Sequence, residues 1–178
     1  MAGSLAVFGS PLGLLDQIAS DLQTLGVRVL RSRHPHGGLP FPRVLLGAAF
    51  QWRRGWLANG LSRWKLRRAI ANIEPVIAQN GMVLVLVQLI GVPATRLEAV
   101  LDRLSEIAED ATARVTNLQG RDATINILAF DNTSQRPAIR TTVLDYLKSG
   151  GRITTGECVH HRELDGRSLH DALTNRVL

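Results

Sequence analysis

Met82-Val-Leu-Val-Leu-Val-Gln-Leu-Ile90 is apolar at eight of its nine positions. A strand with one wet face alternates apolar and polar residues, so a run apolar on both faces reads as a central parallel strand that helices must cover on both sides. It is too short for a membrane-spanning helix and lies mid-chain, away from where a secretory signal would sit. The rest of the chain must therefore supply two helical layers. With 178 residues and 45% hydrophobic content, it is long enough for one substantial core and too short for two ordinary domains.

Strand-like and helix-like patterns alternate along the chain. Residues 5–9 are apolar, and Leu12, Leu14, Leu15, Ile18, Ala19 and Leu22 then recur at helical spacing until Gly26. A short strand at 27–30 precedes the Pro/Gly-rich stretch 34–40, and a third strand at 43–46 runs into the small-residue turn Gly47-Ala48-Ala49. Residues 57–80 read as helix, with Leu61, Trp64, Leu66, Ile70, Ile73 and Ile77 among arginines, Pro75 as a kink or break, and Gly81 as a stop. After the central strand come a helix at 97–108, a strand at 123–130, a helix at 139–148 and a last strand near 157–160. The order predicts an α/β fold with a doubly wound, mostly parallel sheet. It is a reduced Rossmann-like fold, a single domain over 1–178, with 162–178 a C-terminal tail available to an interface.

Composition narrows the function. The lone Cys158 excludes an intrachain disulfide and a cysteine-clustered metal site, and it suits a reducing cytoplasm. The net charge of +6 is carried mostly by arginines such as Arg53, Arg54, Arg63, Arg67 and Arg68, which read first as a solvated helix face. Trp52, Trp56 and Trp64 among them offer a basic, base-stacking segment as an alternative, but they suit a subunit interface better, and nucleic acid is not the expected partner. His34 and His36 flank a proline, and the adjacent His160 and His161 would face opposite sides of a strand, so no metal is expected. Ser10 lies in a strand-to-helix turn but lacks the Gly-x-Ser-x-Gly spacing of a nucleophile elbow.

Several segments in order are similar to the short-chain dehydrogenases/reductases, most nearly their ketoacyl-reductase-like branch. Gly9-Ser-Pro-Leu-Gly13 resembles the start of the family's glycine-rich loop, and Val44-Leu-Leu-Gly-Ala-Ala49 stands where the family carries Asn-Asn-Ala-Gly. Residues 81–88 resemble the strand that ends in the family's serine. Residues 124–129 resemble the strand that reads Val-Asn-x-x-x-Pro-Gly, and residues 143–166 resemble the closing helix, Thr-Gly turn and last strand. Against that family the chain is short between Leu30 and Arg43 and between Phe130 and Val143.

The resemblance implies chemistry that the residues do not supply. The family's reaction needs a tyrosine to pass a proton, a lysine four residues on, and a serine to polarise the carbonyl. The only tyrosine is Tyr146, whose plus-four position is Gly150, and the only lysines are Lys65 and Lys148. The serine position falls on Val87 or Gln88, and the helix that should carry the pair offers Leu97, Leu101 and Ser105. Leu15 occupies the place of the third glycine, so Gly9 and Gly13 read as remnants that let a helix pack on a strand. Arg31 and Arg33 follow the second strand where the 2′-phosphate of NADP would be met, which makes Gly9, Gly13, Arg31 and Arg33 a vestigial cofactor site. The expectation is a chain with no catalytic residues that acts by association with an active short-chain reductase subunit or with itself, through helices 57–80 and 97–111. An NADPH-dependent reductase with a non-standard site and a basic nucleic-acid-binding module are the alternatives.

Overall fold

The computed structural model describes residues 4–9, 13–32, 40–52, 56–132, 136–149, 156–164 and 166–174. Its elements follow the alternation in the sequence: β1 (Ser4–Gly9), α1 (Gly13–Thr24), β2 (Arg28–Arg31), β3 (Phe41–Gln51), α2 (Trp56–Ile73), β4 (Ile77–Ile90), α3 (Leu97–Gln119), β5 (Thr124–Asp131), α4 (Arg136–Ser149), β6 (Cys158–His160) and α5 (Leu169–Thr174). The strands form one sheet in the order β2-β1-β3-β4-β5-β6. Every pairing is parallel. Helices α2 and α3 cover one face and α1, α4 and α5 the other, which makes this a single Rossmann-like, doubly wound domain.

The apolar run lies in β4, with β3 on one side and β5 on the other. Val83, Val85 and Val87 enter the core under α2 and α3, while Leu84 and Leu86 enter the core under α1 and α4. All five are fully buried, which is worth about 10 kcal/mol before chain entropy is counted. This strand ties the two cores together.

Five features differ from the expectation. The helix expected over 57–80 ends at Ile73, because Pro75 has no N–H for the helical ladder and its ring crowds the preceding turn. Glu74–Val76 tightens into a 3-10 turn and Ile77 is already extended. Gly81 is therefore not a helix stop but lies inside β4, where the ladder to β3 shifts register and Asn80 takes a positive φ of 57°. Gly47-Ala48-Ala49 is strand and not turn, because β3 keeps pairing with β4 as far as Gln51 and Ile90.

The remaining two differences concern the later helices. Helix α3 runs to Gln119 because Ala111, Thr112 and Val115 prolong its buried stripe, and Gly120 ends it at a φ of 61°. The segment expected as a tail folds back: Leu164, Leu169, Ala172 and Leu173 join the core under α1 and α4.

Candidate functional site

In an open parallel sheet the crevice lies outside the C-terminal strand ends, where neighbouring strands lead their chains in opposite directions. Here that point lies between β1 and β3. Gly9, the last residue of β1, pairs with Gly47 at a φ of 99°. A Cβ on Gly9 would stand 2.1 Å from the Gly47 carbonyl oxygen. The glycine is thus demanded by strand against strand, not by a helix packing on a strand. Among the described residues nothing lies within 4 Å of a Cβ built on Gly13, so close packing against them does not require that glycine either. Helix α1 is seated by Leu15 itself, which is buried in one core with Leu5, Val7 and Ile18.

Arg31 points back to the first turn of α1. Its Nη1 donates to Asp16 Oδ1 at 3.0 Å and its Nη2 to the Asp16 carbonyl at 3.2 Å. An anion at the crevice would have to compete with that carboxylate for the guanidinium. Arg33, Ser10, His34 and His36 lie outside the described residues. The extension of β3 past Gly47 is capped by Phe50, which is buried in one core with Leu89.

The C-terminal ends of β4, β5 and β6 carry the other candidate groups. Val87 is buried, and Gln88 donates from Nε2 to Asn132 Oδ1 at 2.8 Å, so neither stands in for a catalytic hydroxyl. Ser105 Oγ accepts the Cys158 N–H at 3.1 Å, which ties α3 to β6. Tyr146 is buried on the inner side of α4 and its hydroxyl accepts from Asn126 Nδ2 at 2.9 Å, while Asn126 Oδ1 accepts the Glu157 N–H at 3.1 Å. Burial pushes the Tyr146 phenol up to about 12, with the Asn126 hydrogen bond opposing the rise. A phenol held there does not donate or take protons near neutrality. Lys148 is exposed beside Asp145, on a different side of the helix.

Asp131, His160 and Arg162 meet next to a cavity of about 300 Å³ whose wall includes Leu89, Val92, Leu97 and Asn132. Arg162 Nη2 lies 3.0 Å from Asp131 Oδ2, and His160 Nε2 lies 3.9 Å from the same oxygen. His160 is 1% exposed, and its Nδ1 accepts the backbone N–H of Arg162 at 3.3 Å. That bond sets the tautomer with the proton on Nε2, so no ring lone pair remains for general-base work. Burial holds the His160 pKa below the usual imidazole value, with Asp131 pulling the other way.

Sequence reasoning matched Asn126 to the asparagine of the family's strand without assigning it a role, and did not single out Asp131 or the role of His160. The available signal was Asn126 itself, a polar side chain inside an apolar run, which must be hydrogen-bonded if buried. Its partners, Tyr146 and Glu157, are distant in sequence.

A third feature is the outer surface of α2 and α3. Leu61 and Trp64 are each 52% exposed, and Arg68 stacks over the Trp64 ring at 5.1 Å. A groove of about 300 Å³ between the helices is walled by Gly60, Trp64, Arg67, Arg103, Glu106 and Ile107. Among the described residues no three His, Cys, Asp or Glu side chains gather as metal ligands, and no helix is long and apolar enough to cross a membrane.

Topology and site geometry define a Rossmann-like α/β protein in which β1 and β3 approach each other closely at the switch point, Gly9 against Gly47. No protein-family model matches the chain, and a search of curated proteins finds none that matches it.

Proposed function

We propose that the chain is a non-catalytic subunit of the short-chain dehydrogenase/reductase type, which works by association with an active reductase of the same fold. The observation that carries this is the α2–α3 surface. Helix α2 presents Arg63, Lys65, Arg67 and Arg68, and α3 presents Glu98, Asp102, Glu106, Glu109 and Asp110 around Arg103; Arg67 pairs with Asp110 across the two helices and Arg103 with Glu106, which leaves the other charges to a partner. Two adjoining helices of opposite charge, with Leu61 and Trp64 exposed on one of them, suit a partner that sets an acidic helix on α2 and a basic helix on α3.

The loss of catalysis is supported residue by residue. Tyr146 is committed to Asn126, Arg31 to Asp16, and Ser105 to the backbone of β6. Asn126 holds the place of the asparagine in the family's Val-Asn-x-x-x-Pro-Gly strand, and Asp131 the place of its glycine. The Thr-Gly turn of the resemblance keeps a structural reason, since a Cβ on Gly156 would stand 2.4 Å from the Ala108 carbonyl oxygen of α3.

Light scattering of the chain mixed with an active short-chain reductase that carries the intact glycine loop and Tyr-x-x-x-Lys pair tests the proposal. The expected result is a particle with the summed mass of both subunits, which Trp64→Glu disrupts; a chain that stays alone at every concentration overturns it. Titration with millimolar NADPH is expected to leave the tryptophan fluorescence unchanged. Saturable quenching together with carbonyl reduction would make the chain a reductase with a non-standard site.

A further inference from the structure

The segment after β6 is held along its length by apolar side chains in the core and at its start by polar contacts of Arg162. His161–Leu164 forms a 3-10 turn, and α5 follows with Leu169, Ala172 and Leu173 in the core. Between this segment and α4 runs a groove of about 880 Å³, walled on one side by Thr141, Thr142 and Asp145 and on the other by His161, Leu164 and Ser168. At the start of the turn, Arg162 is held twice: its backbone N–H by His160 Nδ1 and its guanidinium by Asp131. His160 Nε2 is buried and has no hydrogen-bond partner among the described residues, with Asp131 Oδ2 just beyond bonding distance.

We propose that His160 is a proton-released latch on the C-terminal segment: neutral, it holds the turn that closes the groove against α4, and protonated, it lets that turn go. The chemistry follows from the tautomer. A second proton can only enter at Nδ1, where it removes the acceptor of the Arg162 N–H and turns that contact into donor against donor. The imidazolium then stands beside the Arg162 guanidinium and competes with it for Asp131.

The charged and titratable groups that act on His160 are Asp131 from β5 and Arg162, Glu163 and His161 from the turn. Asp131 and Glu163 favour the charged form; Arg162, His161 and burial oppose it. Helix α3 meets β6 through the neutral Ser105 hydroxyl, and α5, which also packs against β6, carries His170 and Asp171. Release therefore falls below the ordinary imidazole range.

Hydrogen exchange of the full chain at about pH 7.5 and about pH 5, corrected for the intrinsic pH dependence of amide exchange, tests the latch. Residues 164–174 are expected to exchange roughly tenfold faster at the lower pH, while the 82–89 segment of β4 stays protected. His160→Gln keeps an acceptor and a donor without titrating, so its C-terminal segment should show no such change. Asp131→Asn removes a carboxylate that favours the imidazolium, so release should move to lower pH. Equal acid release in His160→Gln, an unmoved midpoint in Asp131→Asn, acceleration spread over the whole sheet, or no acceleration at all would each overturn the latch.

Discussion

Replacing Gly9 by alanine puts a Cβ 2.1 Å from the Gly47 carbonyl oxygen, on a backbone whose φ of 99° L side chains rarely adopt. The expected cost is about 3 kcal/mol or more, seen as a lower urea midpoint. Gly13→Ala meets open space at the start of α1 and is expected to stay within about 1 kcal/mol of wild type, on the stabilising side. Two glycines four residues apart thus separate cleanly by chemical denaturation.

Tyr146 sets a second test at the same scale. Its folded pKa is raised to about 12, so the unfolded chain loses the phenolic proton first as pH rises. The stability it contributes is intact below about pH 10 and falls away between about pH 10 and about pH 12, by about 2 to 3 kcal/mol in all. Tyr146→Phe should flatten that part of the stability–pH profile. It should also cost about 1 to 3 kcal/mol near neutrality, because buried Asn126 Nδ2 loses its acceptor.

At the scale of elements, the junction from α2 into β4 depends on side chains from elsewhere. Pro75 stops the helix, and the carbonyls of Glu74, Pro75 and Ile77 all accept from one guanidinium, that of Arg121, which follows α3. Glu74, 7% exposed, takes Nε and Nη2 of Arg114 at 3.2 and 2.8 Å. Arg121→Ala is expected to cost about 2 kcal/mol by stripping these carbonyls of their donor. Arg114→Ala is expected to cost about 3 kcal/mol, because a largely buried carboxylate loses its cation. Thermal melts of the two variants check both values. Proline's effect on the helix was legible in the sequence, which left a kink or a break open. The arginines that complete the junction were not, since they lie some forty residues further along the chain.

For the whole molecule, a complex built on the α2 and α3 charges should weaken with salt. Raising the salt from about 0.05 M to about 0.5 M is expected to increase its dissociation constant roughly tenfold, mostly through slower association. Sedimentation at the two concentrations measures it, and an unchanged constant would mean that Leu61 and Trp64 carry the contact alone.

By itself, the sequence determined the alternation of strands and helices, the parallel sheet around Val83 to Val87, and the absence of the Tyr-Lys pair. These are local patterns: periodicity shows which faces must be buried, and a missing residue type is missing in any fold. Only the tertiary structure decided why Gly9 is needed, that Arg31 turns to Asp16, that Tyr146 and Asn126 satisfy each other, and that the last segment folds back under His160. Each of these depends on a polar or close-packed group finding its partner across the fold, and a buried polar group records its need for a partner without recording which residue meets it.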